Sequence, residues 1–328
     1  MCTAVSYKNR LFGRTFDYHK SFGEGILITP REKVNFGEAK NRYSMIGMGI
    51  LVDDMPLYYD GMNEFGLFCA ALNFSGFAHY DNPEGKKTGI SSSHLVGFLL
   101  GFCKSVDEVK GAMDNIAITS ERPVEEMKAA QLHWMVCDGR GCAVIEPIKG
   151  GVRVRDNPFG VLTNAPDFAF HSIRMADFAS LSPRNGQDNM TDGMAPPYSH
   201  GMGAIGLPGD YSSTSRFVKA AFVRKNIRPI LDFNPHMAVS RKNEICEVND
   251  FFDLMKSVSV PYGCSFGEDN MPMLTLYTVC ADPEELNYYF TDYTGKTICL
   301  ARLREIHFTA KKIISIPIYR SDEIKMVN

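Results

Sequence analysis

Several features are missing from this sequence, and each absence removes a class of function. Long apolar runs are missing. The most apolar stretch, HLVGFLLGFC (94–103), falls far short of the roughly 20 residues that a bilayer span requires, so no membrane insertion is expected. A leader pattern is also missing: MCTAVSYKNR has no basic head followed by an apolar core, so a secretory signal is not expected. Charge of one sign is missing. The 35 Lys and Arg against 38 Asp and Glu leave a net charge of −3 without blocks of like charge. That offers no footprint for nucleic acid or an anionic membrane surface. Regular cysteine spacing is missing too. The nine cysteines (Cys2, Cys69, Cys103, Cys137, Cys142, Cys246, Cys264, Cys280 and Cys299) are odd in number and sit mostly in apolar, strand-like runs. They read as reduced, buried thiols of a cytoplasmic protein.

What is present is an ordinary globular composition, 45% hydrophobic and 22% charged, over 328 residues, enough for a sizeable core. Residues 2–7 and 11–17 alternate around YKNR and predict a hairpin at the N-terminus. GILITP, YSMIGMGILV and LFCAALNF predict further strands. LVDDMPLYYDG (51–61) reads as an apolar loop. SSSHLVGFLLGFCKS (91–105) predicts a helix behind a serine cap, and SVDEVKGAMDNI a second one with a Ser105–Glu108 capping box. Residues 131–156 read as three strands joined by DGRG and KGG turns. FGVLTN is a short strand and DFAFHSIRMADFA a helix. Residues 181–210, rich in Gly, Pro, Ser, Asn and Asp, form a long loop. SSTSRFVKAAFVRKNI and VNDFFDLMKSV are helices. The last third returns to strands over MLTLYTVCAD, LNYYFTDY, KTICLARL and KIISIPIY. With no repeat and no linker, residues 1–328 read as one α+β domain with large antiparallel sheets and segregated helices.

Three motif matches fail on context. GMGAIG (201–206) fits a dinucleotide fingerprint but lacks a strand before it and a helix after it. GCSFG (263–267) fits a nucleophile elbow, yet Pro261 before it and EDNMP after it oppose a strand–turn–helix. Cys137 and Cys142 have zinc-knuckle spacing without a second pair, so no metal site is expected.

Cys2 is different. Removal of Met1 would expose an α-amine with an ordinary pKa of about 7.7–8.0, suited to a general base near neutral pH. The same residue supplies the thiol, so nucleophile and base come in one piece. Arg14 on the adjoining strand would favour a thiolate, and Asp17 could hold the amine. Without the cysteine, the same two residues read as a surface ion pair.

The opening MCTAV…LFGRTFDY resembles the start of the choloylglycine hydrolase family, which comprises conjugated bile salt hydrolases and penicillin V acylases. DGMNEFGLFCAALNF, LHWMVCD, NPFGVLTNAPDF and GLPGDYSSTSRFVKAAF resemble further family blocks, in family order across most of the chain. The resemblance implies the four-layer αββα sandwich of N-terminal nucleophile hydrolases. It implies Cys2 as nucleophile, with Arg14 and Asp17 as the pair of the G-R-x-x-D motif. It also implies the backbone N–H of Asn73 and the side chain of Asn164 as oxyanion donors, and Arg216 beside the nucleophile. The expected reaction is hydrolysis of glycine- or taurine-conjugated bile salts through a thioester, with no cofactor. A homotetramer is implied as well. Phe16, Val52 and Tyr59 are the expected pocket lining, each of which also suits plain core. Asparagine at position 73 is similar to the bile salt hydrolases rather than to those penicillin V acylases that carry tyrosine there. A penicillin V or other N-acyl amide acylase is the alternative, and a non-catalytic steroid binder on the same fold is the alternative of another class.

Overall fold

Strand alternation at the N-terminus sets the architecture. A computed structural model describes residues 1–80, 88–122, 129–229, 243–267, 270–294 and 297–318, with backbone alone over 243–246. In chain order the strands are β1 (Cys2–Tyr7), β2 (Leu11–Tyr18), β3 (Gly25–Thr29), β4 (Asn35–Phe36), β5 (Ala39–Lys40), β6 (Met45–Val52), β7 (Met55–Asn63), β8 (Phe68–Asn73), β9 (Thr88–Ser91), β10 (Ile116–Thr119), β11 (Leu132–Asp138), β12 (Gly141–Ile148), β13 (Gly151–Asp156), β14 (Val161–Leu162), β15 (Leu274–Asp282), β16 (Asn287–Asp292), β17 (Cys299–Arg302) and β18 (Ile314–Pro317). The helices are α1 (Leu95–Phe102), α2 (Val106–Met113), α3 (Phe168–Arg174), α4 (Ser213–Asn226), α5 (Asn243–Lys256) and α6 (Glu305–Phe308).

Two antiparallel sheets dominate. One runs β14-β1-β2-β15-β16-β17 and the other β13-β12-β11-β8-β7-β6-β3-β18. All six residues of β1 are buried, because this strand carries packing on both faces. Cys2 and Ala4 face the second sheet, while Thr3 and Val5 face α4. The inner faces share a core that includes Phe12, Phe68, Met48, Met62 and Met135. A separate apolar cluster of Leu95, Leu99, Val109, Trp134 and Tyr58 seats α1 and α2 on the outer face of the eight-stranded sheet. Helices α4 and α5 cover the outer face of the six-stranded one, with Phe217 and Phe251 buried against it. The layers are therefore helix, sheet, sheet, helix, as the αββα expectation requires.

Three local expectations need correction. Residues 51–61 are not a loop but the tip and return strand of the β6–β7 hairpin, with Val52 paired to Met55. Asp53 and Asp54 both have positive φ, 48° and 64°, the conformation of a two-residue primed turn that aspartate tolerates. Helix α1 has no serine cap. It starts at Leu95 behind His94, and Ser91 Oγ pairs with His94 Nδ1 instead. The capping box is half formed. Ser105 accepts the Glu108 N–H, but the Glu108 carboxylate takes the N–H of Lys104 rather than that of Ser105. The long loop is as expected: no helix or strand occurs between residues 179 and 212.

Candidate active site

The β1–β2 register sets Cys2 opposite Phe16 and Ala4 opposite Arg14. Because side chains alternate along a strand, Arg14 and Phe16 share the inner face with Cys2, while Thr15 and Asp17 lie on the outer face. The three-residue step from Arg14 to Asp17 thus places a cation on one side of the strand and a carboxylate on the other.

Arg14 is fully buried. Its Nη2 donates to Cys2 Sγ, Nη1 donates to the carbonyls of Tyr59 and Ala71, and Nε donates to the carbonyl of Thr15. Burial alone would lower its pKa. The Cys2 sulfur, Tyr277 and Asp60 outweigh that and hold the guanidinium above its ordinary value. Asp60 lies 3.9 Å from Arg14 Nε and accepts from the hydroxyls of Tyr277 (3.1 Å) and Tyr288. Its own carboxyl is pushed up to about 6, burial outweighing the opposing pull of Arg14 and the two tyrosines.

The outer face holds the second cation. Helix α4 begins behind the long loop with Ser212 as its cap, accepting the Ser215 N–H. One turn in, Arg216 is fully buried. Its Nη1 donates to the Cys2 carbonyl and to Thr3 Oγ1 (2.6 Å), and its Nη2 to Asn164 Oδ1 (2.7 Å). Burial lowers its pKa, with Asp17 and Cys2 opposing. Asp17 is also fully buried, and it accepts from Thr275 Oγ1 (2.6 Å) and Thr15 Oγ1 (3.2 Å). Burial raises its carboxyl, while Arg216 and the chain's terminal amine pull the other way.

Asn164 joins these groups. Its Oδ1 accepts the Cys2 N–H at 2.8 Å, and its Nδ2 donates to the Asn73 carbonyl at 2.8 Å. A primary amide carries two N–H donors, so one remains for another acceptor. Asn73 is the last residue of β8. The next N–H, of Phe74, bonds the Gln131 carbonyl. Backbone groups alternate in direction along a strand, so the N–H and C=O of Asn73 turn away from β11, toward Asn164. The Asn73 side chain is not part of this cluster: it is exposed and accepts the Ser75 N–H.

Met1 occupies the end of the β1 ladder. Its amine donates to the Asp17 carbonyl (2.7 Å), and its carbonyl accepts the Asp17 N–H (3.0 Å). Burial lowers this amine from its ordinary 8.0, with Cys2 and Asp17 opposing. Of the residues expected around Cys2, Arg14, Asn164 and Arg216 bond it directly, Asp17 pairs with the backbone of Met1 beside it, and Asn73 is reached through Asn164.

A family model for linear amide C–N hydrolases of the choloylglycine hydrolase family matches residues 2–316. The chain belongs to that family. Relatives similar to this chain include the bile salt hydrolase/transferase of Lactiplantibacillus plantarum, 36% identical over the full length of both chains. The crystal structure of the C2A variant of conjugated bile acid hydrolase from Clostridium perfringens superposes with a TM-score of 0.87, at 30% identity over the whole of each chain. Penicillin V acylase from Agrobacterium tumefaciens shares the fold, with a TM-score of 0.74 at 20% identity over 97% of this chain and 94% of that one.

The three expected lining residues of this hydrolase fall in two places. Phe16 is stacked between Tyr59 (centroids 5.2 Å) and Tyr277 (5.1 Å), with the Arg14 guanidinium 5.0 Å from its ring. Tyr59 is the extra residue where the β6–β7 register shifts between Met48 and Gly49, and such a bulge re-aims a side chain. Val52 is at the hairpin tip, separated from that stack along the strand. Sequence reasoning did not find Asp60, Tyr277 and Tyr288 behind Arg14, or Thr275 beneath Asp17. The only signal was polar or phenolic residues in buried strands, which reads equally as core.

Proposed function

We propose that this chain hydrolyses the amide bond of glycine- or taurine-conjugated bile salts, with Cys2 as nucleophile once Met1 has been removed. The observation that carries the reading is the double grip on Cys2, with Arg14 at the sulfur and Arg216 and Asn164 at the backbone. The names of the full-length relatives supply the substrate class.

With Met1 gone, the nitrogen of Cys2 is a free α-amine beside Asn164 Oδ1. Its neutral form is the one a general base requires. The amine takes the thiol proton, and the Arg14 guanidinium stabilises the thiolate. The sulfur attacks the amide carbonyl, forming a C–S bond as the π electrons move to oxygen. The free N–H of Asn164 Nδ2 and the Asn73 N–H receive that oxyanion. The ammonium returns its proton to the departing nitrogen, the C–N bond breaks, and glycine or taurine leaves. Water, deprotonated by the same amine, then attacks the thioester, and the C–S bond breaks to release the bile acid and the thiol. Asp17 and Arg216 fix the amine end of Cys2 throughout. Thiol, amine and amide donors supply every step without a metal or organic cofactor.

The apolar steroid packs on the Phe16–Tyr59 stack, with Val52 at the rim of the pocket. Residues 1–328 act as one catalytic domain. By family resemblance the enzyme is a cytoplasmic homotetramer, and light scattering on the purified protein reads that mass directly.

The test is product mass spectrometry with glycocholate, taurocholate and penicillin V, with Cys2→Ser alongside. The reading expects cholate from at least one conjugate and a loss of at least about 10³-fold in the variant. Cleavage of penicillin V alone would move the chain to the acylase alternative. No cleavage by protein whose intact mass shows Met1 removed would leave the steroid binder.

A further inference from the structure

Asn164 is held from behind by groups that the proposed reaction does not use. Only Val161 and Leu162 before it are in a strand, so the sheet ladder does not fix its backbone. Two other side chains do. Ser213 Oγ accepts the Asn164 N–H at 3.0 Å and lies 2.9 Å from its carbonyl oxygen. His171 Nε2 lies 3.0 Å from the same oxygen. A carbonyl only accepts, so Nε2 carries a proton. Burial lowers the imidazole pKa, which leaves a neutral ring with its hydrogen on Nε2. The ring stacks on Phe217 at 4.8 Å with planes 9° apart, and Phe217 follows Arg216 in α4. His171 and Ser213 are themselves 3.4 Å apart.

Helix α4 therefore grips Asn164 twice. Ser213 holds its backbone and Arg216, one turn later, its side chain. His171, from α3, closes the clamp. The residue before it is secured in the same way: His133 Nε2 lies 2.8 Å from the Thr163 carbonyl, and Glu146 lies 3.2 Å from His133 Nδ1.

We propose that His171 and Ser213 are positioning residues that aim the Asn164 side-chain amide at the developing oxyanion. The inference rests on the amidase reading above and assigns neither residue a contact with substrate. A donor aimed at a transition state loses most of its value when displaced by about 1 Å, a shift worth up to about 10²-fold in rate. Binding of the ground state does not depend on that aim.

Three variants test it. His171→Phe keeps the aromatic stack and removes the donor, His171→Gln keeps an N–H donor, and Ser213→Ala removes the hydroxyl. Each is assayed for glycocholate hydrolysis. Each is also prepared with ¹⁵N-labelled asparagine, so that the Asn164 side-chain amide signal, assigned by its loss in Asn164→Asp, reports position without turnover. The proposal expects kcat to fall at least about tenfold in H171F and S213A, with KM within about threefold and a shifted Asn164 signal. H171Q is expected to restore both rate and signal. An unmoved Asn164 signal in both H171F and S213A overturns the clamp, whatever the rates do. A moved signal with unchanged kcat overturns the link to catalysis. If the unaltered protein hydrolyses no conjugate, the amidase reading fails by itself, and the spectra still decide whether the clamp exists.

Discussion

At the scale of residues, the candidate site is an arrangement of buried charge. Arg14 and Arg216 are both removed from solvent, and a buried cation without compensation is strongly unfavourable. Arg216 is matched by Asp17, and Arg14 by Asp60 together with the Cys2 sulfur. Asp60 has a measurable consequence. Its folded-state pKa of about 6 stands above the ordinary 3.8, so folding favours its protonated form. Its contribution to stability is full below pH 3.8 and is lost as pH rises through 6. Relative to Asp60→Asn, the natural protein should lose stability on the order of a few kcal/mol between about pH 4 and 6, then run parallel to the variant above that. Urea denaturation of both proteins from pH 4 to 8 reads this difference. Parallel curves throughout would show that Asp60 titrates as an exposed carboxylate does.

At the scale of elements, the site depends on strand register more than on any single contact. Gly13 shows why. It faces outward beside Arg14, where an added Cβ would overlap the Val279 carbonyl oxygen and lie 2.9 Å from the Phe251 ring. Gly13→Ala should therefore push β15 away from β2. A drop of several degrees in melting temperature, together with slower alkylation of Cys2, would follow from the displaced Arg14. Unchanged melting and alkylation would mean that the strands absorb the methyl group. Much of this level was legible in the sequence. The N-terminal alternation, the turn at YKNR and the periodicity of SSTSRFVKAAFVRKNI gave β1, β2 and α4 at nearly their observed limits. The family blocks marked Arg14, Asn164 and Arg216, which bond Cys2, and Asp17 and Asn73, which lie one partner away. The failures have local causes. Asp53 and Asp54 form a primed turn without the usual glycine, so a hairpin tip read as a loop. Glu108 turned to a neighbouring N–H, which residue spacing cannot distinguish. Asp60, Tyr277, Tyr288, His171 and Ser213 act across elements that are distant in sequence, and no periodicity reports a contact between two sheets.

At the scale of the whole molecule, the four layers bring the chain's first residues into the interior. The six-stranded sheet carries Cys2 between α4 on one side and β7 and β8 on the other. Cys2 is thus an internal residue of the fold, and the half-buried Met1 extends the β1 ladder where a free Cys2 amine would stand. In the proposed mechanism the thiol and α-amine of one residue carry the reaction together. The measurement that tests it most directly uses a chain with a cleavable tag placed immediately before Cys2. Glycocholate hydrolysis is followed before and after a site-specific protease exposes the Cys2 amine, with intact mass recorded at each point. The account predicts no hydrolysis before cleavage, and hydrolysis that rises in proportion to the fraction of chains beginning at Cys2. Equal hydrolysis by the tagged and untagged forms would contradict it, because the thiol would then be working without the amine as its base.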